Sequence, residues 1–297
     1  MKAYFQIITA CLIWGSYGLF VQMLGYSPEV VVFFRFLFGA LFLVTLSCFT
    51  GNLRQLKPSS HTGMLFLMGC INAASWLMLT RSIMYTSVAN GFILYYTAPC
   101  FVMLLAPVIL KEHFEKRSLV ALILSFTGII LIAGQGGEVY RDHNLLGNIL
   151  GVSSGVLFAF YLIALKKLPS EKLGLVSNVY VSLTVALVTL PLAAPAMSAV
   201  TLSGLLLLVF LGIFIQGVGT TMYMIGLRRV KAQHAGILSY FEALFSMLFA
   251  GLFLHERMTP AFLAGAVLII AGGALIMALK GKEDLAAAEN CRLSKRN

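Results

Sequence analysis

Apolar residues run through this chain in long blocks, without the alternation of surface strands or the one-sided stripe of surface helices. Ten blocks stand out, at about 3–24, 29–50, 62–84, 88–110, 117–134, 147–166, 174–195, 202–225, 233–254 and 260–280. Each is long enough to cross ~30 Å of hydrocarbon at about 1.5 Å per residue. Turns holding Gly, Pro, Asn, Ser or charge separate them. Barrel strands would be about ten residues long and strictly alternating, so they do not fit. The pattern predicts an all-α integral membrane protein of ten transmembrane helices. Its longest connection, around 135–146, carries Gly136-Gly137 and Arg141-Asp142-His143-Asn144 near the middle of the chain. The first block follows Lys2 and is too long for a signal-peptide core, with no small-x-small site closing it, so it reads as a retained helix. The polar stretch after Lys280 reads as a frayed tail.

Composition sharpens this. Of 297 residues, 60% are apolar and only 11% charged, against about 25% charged in an ordinary globular domain. A soluble fold cannot hide so much apolar surface, which excludes a cytosolic enzyme, a disordered chain and a secreted scaffold. The net charge of +10 comes from Lys and Arg scattered in small groups between the blocks, the pattern of membrane loops and not of a nucleic-acid-binding face. Sorting the loops alternately puts Lys2, Arg54, Lys57, Lys111, Lys116, Arg117, Lys166, Lys167, Lys172, Arg228, Arg229, Lys231, Lys280, Lys282, Arg292, Lys295 and Arg296 on one side. Only Arg81, Arg141 and Arg257 fall on the other. The positive-inside rule then predicts cytoplasmic N- and C-termini. The five Cys form no CxxC pair, and four lie in apolar blocks, so they read as small core residues.

Sliding the chain by 144 residues lays it on itself. Ile93-Leu94 falls on Ile237-Leu238, Tyr96 on Tyr240, Phe101 on Phe245, Met103-Leu104 on Met247-Leu248, Glu112 on Glu256 and Gly128 on Gly272. About fifteen of the forty-five positions from Ile93 to Gly137 are identical at this offset. The same shift lays Trp14 on Phe158 and Tyr17 on Tyr161. Two five-helix copies, 1–137 and 145–282, followed by a cytoplasmic tail at 283–297, are predicted. An odd number of spans per copy forces the two into opposite orientations, as inverted-topology repeats. In such architectures the substrate sits near mid-bilayer between the repeats, and rocking gives alternating access.

Several residues in order resemble the EamA family of the drug/metabolite transporter superfamily: Leu12-Ile13-Trp14-Gly15-Ser16, Arg35, Tyr85-Thr86-Ser87-Val88-Ala89, Pro99, Glu112 and Gly128 in the first half, and Tyr161, Tyr240-Phe241-Glu242, Glu256, Gly265 and Gly272 in the second. The resemblance spans essentially the whole chain. It implies a cytoplasmic-membrane carrier, often an exporter, of amino acids, related metabolites or drugs. Ala243, where the family often has Pro, and Arg81, at a usually small or apolar site, depart from its pattern.

Charge at membrane depth is costly and therefore points to function. Arg35 in the second block and Glu242 in the ninth are the clear instances. Glu242 can hold a cationic group of the substrate or cycle a proton; alternatively the two charges satisfy each other and fix packing. Asn72 and Trp76 share a helix face, as do Gln216, Thr220 and Tyr223, with Gln216 the repeat partner of Asn72. Adding Tyr96 and Tyr240 gives a candidate substrate pocket of Arg35, Asn72, Trp76, Tyr96, Gln216, Tyr223, Tyr240 and Glu242, against the plainer reading of interhelical packing. Pro99 removes a helix hydrogen bond and can kink its helix, so it joins Glu242 as a coupling or gating residue. Gly147, Gly151 and Gly155 form a small-residue packing seam. The Gly151–Gly155 run also matches G-x-S-x-G, but it lies in an apolar helix with no strand before it, so no hydrolase elbow is expected. Glu112 and Glu256 read as local caps, and Arg81 as a snorkelling side chain.

The reading is a secondary transporter of a small organic metabolite, an amino acid or relative, with export implied by the family resemblance. A multidrug-type exporter of lipophilic cations is the alternative within the class, and a receptor or intramembrane enzyme the alternative outside it. No catalytic constellation, nucleotide-binding signature, cofactor or metal is expected. The implied partners are the small-molecule substrate and the bilayer, with a homodimer open and nucleic acid excluded.

Overall fold

The computed structural model describes residues 1–86, 88–133, 144–253 and 259–294, and among them every regular element is helical. The first predicted block folds as α1 (Lys2–Gly15) and α2 (Tyr17–Leu24), and the next two as α3 (Pro28–Phe49) and α4 (Thr62–Tyr85). The fourth divides into α5 (Val88–Tyr95) and α6 (Ala98–Ile109), and the fifth is α7 (Lys116–Ala133). In the second half α8 (Leu145–Lys166) and α9 (Leu175–Ala193) come first. The eighth block is α10 (Leu202–Leu211), a π-helical stretch (Gly212–Gly219) and α11 (Thr220–Leu227). The last two are α12 (Ala232–Leu238) with α13 (Phe241–Phe253), and α14 (Pro260–Ser294). Nine stretches among the described residues are long and apolar enough to cross a membrane. The fifth predicted segment forms an 18-residue helix that is not one of the nine. Helix α14 continues to Ser294, into the region expected to fray.

Local chemistry sets the boundaries. Pro28 opens α3 behind an extended Ser27, where its missing N–H costs nothing. The side chains of Asn144 and Thr201 accept the backbone N–H groups of Gly147 and Gly204 and so start α8 and α10. Gly25 ends α2 at φ 63°, the left-handed conformation that glycine adopts without strain. Large apolar side chains such as Phe49, Val108 and Leu202 stand exposed on the outside. In water they would drive aggregation; in lipid they are the ordinary surface.

The packing follows the 144-residue offset. Helix α8 lies on α4 and α6, and α1 lies on their counterparts, the π-helical stretch with α11 and α13. Helix α4 packs on α9 as the π-helical stretch packs on α3. The remaining large contacts join offset partners, α3 with α9 and α7 with α14. The α7–α14 seam is glycine-lined: a Cβ on Gly128 would come within 2.6 Å of the Gly265 carbonyl oxygen, and one on Gly265 equally close to that of Gly128. The Gly147–Gly151–Gly155 face meets the end of α4 and α5, where Tyr85, Ser82, Leu94 and Thr97 press on it.

Hydrogen bonds gather the basic loops at one end. The Tyr180 hydroxyl donates to the Leu56 carbonyl, Lys166 Nζ to the Leu227 and Val230 carbonyls at 2.6 and 2.7 Å, the Arg228 guanidinium to Leu173, and Lys231 pairs with Glu115. Connections α3–α4, α6–α7, α8–α9 and α11–α12 therefore lie together. The opposite end is tied by neutral groups, Tyr26 with Thr201 at 3.0 Å and Asn90 Nδ2 donating to Asn148 Oδ1 at 2.7 Å.

Replacing Gly128 by Leu should wedge α7 from α14, destabilise the protein by about 1–3 kcal/mol and lower its Tm in detergent. Leu in place of Ile123, which faces outward from the same helix, should leave Tm unchanged. Equal Tm values for the two variants would mean that the glycine seam is not a tight contact.

Candidate functional site

Four of the predicted blocks are interrupted, and the interruptions face inward. Helices α1 and α2 part at Ser16, α5 and α6 at Tyr96–Thr97, and α12 and α13 at Ser239–Tyr240, while the eighth block widens into π-helix. Pro99 therefore does not kink a continuous helix. It sits in the first turn of α6, where its ring is tolerated. Carbonyls loosened at these breaks are met by side chains. Ser16 Oγ donates to Ile13, Thr97 Oγ1 to Leu94, Cys11 Sγ to Leu238 and Asn178 Nδ2 to the Gln216 carbonyl.

Between the two halves lies a cavity of about 730 Å³ of space free of protein atoms, its mouth included. Arg35 enters it from α3, almost fully buried, with its guanidinium carbon 4.4 Å from the Trp76 ring centre and 4.7 Å from those of Tyr17 and Phe36. These ring faces offset part of the cost of taking the cation out of water. The Arg35 Nε–H has no hydrogen-bond partner, and neither has the buried Asn72 Oδ1 in the same wall. Unpaired buried donors and acceptors are rare enough to require a reason, and a cavity that receives a polar solute supplies one.

Glu242 lines the same cavity from the first turn of α13. Arg35 and Glu242 are not within ion-pair distance of each other. The cavity thus holds a guanidinium and a carboxyl group that are not paired with each other. The same walls hold Trp14, Tyr17, Tyr95, Phe158, Tyr161 and Tyr223, with Trp14 packed on Tyr223 at 4.8 Å and Tyr95 on Phe158 at 5.1 Å between ring centres. A smaller, mostly apolar cavity beside it, lined by Tyr96, Pro99, Val102, Gly236 and Ser239, shares Glu242, Trp14 and Tyr95 with the first.

Six of the eight predicted binding residues, Arg35, Asn72, Trp76, Gln216, Tyr223 and Glu242, line the main cavity, and Tyr96 lines the smaller one. Tyr240 lines neither. It is fully buried and its hydroxyl donates to the backbone carbonyl of Tyr96, its offset partner, at 2.9 Å. Gln216 is held from behind, its Nε2 donating to Asn178 Oδ1 and Ser182 Oγ at 2.9 and 3.0 Å. Tyr223 shares a hydrogen bond with Ser239. Glu112 does not cap locally: its carboxylate accepts the backbone N–H of Ala232, so the first half caps a helix of the second. Glu256 lies outside the described residues. Ser154 of the G-x-S-x-G run is buried in α8 and donates to the Gly151 carbonyl, bonded to its own helix. The sequence reading missed Tyr17, Phe36, Phe92 and Tyr95 as lining residues. The repeat carried part of the signal, since the offset pairs Trp14/Phe158 and Tyr17/Tyr161 all face the cavity.

Among the described residues, helices alone, nine stretches of them of membrane-crossing length, around a polar and aromatic cavity define a multi-pass membrane protein. The EamA-like transporter family model matches the chain twice, at residues 1–134 and 145–278, and the chain belongs to that family. It is 27% identical over 290 residues to an uncharacterized transporter of Clostridium kluyveri, covering 91% of each chain. It is 25% identical over 282 residues to one of Archaeoglobus fulgidus, covering 91% of this chain and 96% of the other. To the uncharacterized transporter YdfC of Bacillus subtilis it is 26% identical over 271 residues, 88% and 86% of the two chains. A solved crystal structure matches its fold with a TM-score of 0.80 at 19% identity, over 94% of this chain and 98% of that one. The protein is a membrane transporter.

Trp14 and Trp76 are the chain's two tryptophans, and both line the main cavity. Intrinsic fluorescence should therefore shift or quench saturably when a ligand enters, with the change reduced in Trp76→Phe and in Trp14→Phe. A ligand shown by equilibrium dialysis to bind without altering tryptophan emission would place binding elsewhere.

Proposed function

We propose that the protein is a secondary carrier of a small zwitterionic metabolite, an amino acid or close relative, moved by alternating access of two inverted five-helix repeats. In this reading α7 is the tenth span, the basic end faces the cytoplasm of the cell that carries the protein in its inner membrane, and export is the direction that the family resemblance implies. The observation that carries it is the pair of separated poles in one cavity: Arg35, with an unpaired donor, and Glu242, facing the space between. A carboxylate at Arg35 and an ammonium at Glu242 would each meet an opposite charge in a water-poor wall, where such contacts are worth far more than in water. The aromatic walls would take the organic remainder of the solute. The offset-related packing and the double family match support the repeat architecture.

The same aromatics and Glu242 would also suit a lipophilic cation, the alternative within this class. Arg35 sets itself against that solute, because its fixed charge in the same wall repels a cation.

Counterflow in proteoliposomes tests the choice. A labelled neutral amino acid should show saturable exchange. Arg35→Gln and Glu242→Gln should each raise its half-saturation concentration by at least about 30-fold, corresponding to about 2 kcal/mol or more for a buried charge partner. Exchange of tetraphenylphosphonium without exchange of any amino acid would replace this reading by the cation carrier, and undiminished exchange in both variants would remove the two charges from the site.

A further inference from the structure

At the basic end of the bundle a second cluster of ionisable groups lies apart from the cavity. Glu115, at the start of α7, pairs with Lys231 and accepts from His234 Nε2 at 2.9 Å, while Ser118 donates to it at 2.8 Å. The other ring nitrogen of His234, Nδ1, is hydrogen-bonded to the Tyr4 hydroxyl of α1 at 2.7 Å. The His234 side chain is 1% exposed. Beside it, Glu112 accepts the N–H of Ala232 and Gln233 Nε2 donates to the His113 carbonyl. Lys166 of α8 reaches the Val230 carbonyl, and Arg228 precedes it on the same turn. The cluster therefore fastens α1 and the α6–α7 connection of the first half to the head of α12 in the second.

The 144-residue offset gives this cluster a built-in control. Tyr4 maps to Asn148, Glu115 to Thr259, Lys231 to Ser87 and His234 to Asn90. All four counterparts are neutral. At the opposite end Asn90 and Asn148, the counterparts of His234 and Tyr4, are hydrogen-bonded to each other at 2.7 Å. The same joint thus occurs at both ends, with ionisable side chains at these four positions at one and neutral side chains at the other.

We propose that Tyr4, Glu115, Lys231 and His234 form an ionic latch that holds the basic end shut and that tightens when His234 takes up a proton, so that pH biases the carrier between its two open states. The inference rests on the alternating-access reading above. Burial pushes the Glu115 carboxyl upward, but the hydrogen bonds from Lys231, His234 and Ser118 outweigh it and hold the group down at about 2. The attraction it supplies is lost only as pH falls through that value. Glu115 keeps its charge from pH 5.5 to 8, and imidazole is the side chain whose ordinary range falls in that window. A protonated imidazole donates from both nitrogens, and a cation beside the Glu115 carboxylate binds more tightly in the closed joint than in the parted one. Closure and protonation are therefore coupled, and acid favours the closed latch. The Asn90–Asn148 joint does not titrate.

The test needs no substrate. Spin labels at Leu119→Cys in α7 and Lys167→Cys after α8, in a protein whose native cysteines are replaced by alanine, report the separation of the halves at this end by pulsed dipolar spectroscopy in nanodiscs. Between pH 8 and 5.5 the short-distance population should gain over the long one by about tenfold, the effect of one pKa unit of coupling. His234→Asn, which copies the neutral end, should make the distribution independent of pH, and Glu115→Gln should shift it to long distances throughout. A wild-type distribution unchanged across this range, or an unaltered response in His234→Asn, overturns the latch. Counterflow in the same preparations then shows whether the carrier reading stands without it.

Discussion

In hydrocarbon a backbone N–H or C=O left without a partner costs several kcal/mol, and no water is present to repair it. Everything in this architecture answers to that constraint. It makes the chain helical and leaves irregular backbone tolerable only where protein side chains or a polar cavity can satisfy it. The departures from α-helix at Ser16, Tyr96–Thr97, Gly212–Gly219 and Ser239–Tyr240 accordingly cluster around one interior space. Side chains from neighbouring segments complete them, as Cys11 does for Leu238 and Asn178 for Gln216. The breaks shape the cavity and place Glu242 on the opening turn of a half-helix.

The two halves share packing but not chemistry. At the offset positions Arg35 faces Val179, Glu242 faces Ala98 and Trp76 faces Thr220. Helix pairs keep their partners under the shift, and the α7–α14 seam is lined by glycines on both sides. The charges that would recognise a solute occur in one copy each. A site made by two-fold duplication alone would present identical poles. The likeness of the two halves is broken at Arg35 and Glu242.

Hydropathy and loop charge made the helical blocks legible, because apolar length and Lys/Arg placement are one-dimensional properties. The offset of 144 was legible for the same reason. Helix breaks were not: Pro99 read as a kink because the sequence shows a missing N–H but not the turn that makes it harmless. Tyr240 looked like pocket lining by its neighbour Glu242, yet a turn at Ser239–Tyr240 sends it into the core. Tyr17 was missed because an aromatic in an apolar run resembles packing, and only the Arg35 cation it covers reveals its role; Tyr95 reaches the same wall through its contact with Trp76. Glu112 read as a local cap because its true partner, the N–H of Ala232, is 120 residues away.

Burying Arg35 is costly, and its surroundings explain how it persists. Three aromatic faces crowd the guanidinium, where a carboxylate in contact would have neutralised it more fully. A bonded carboxylate would also have occupied its donors permanently, since parting a buried ion pair costs several kcal/mol. Ring faces stabilise the cation weakly and without directional hydrogen bonds, so Nε–H remains available. A site that must bind and then release needs that kind of partial compensation: enough to keep the charge folded inside, too little to satisfy it without a guest.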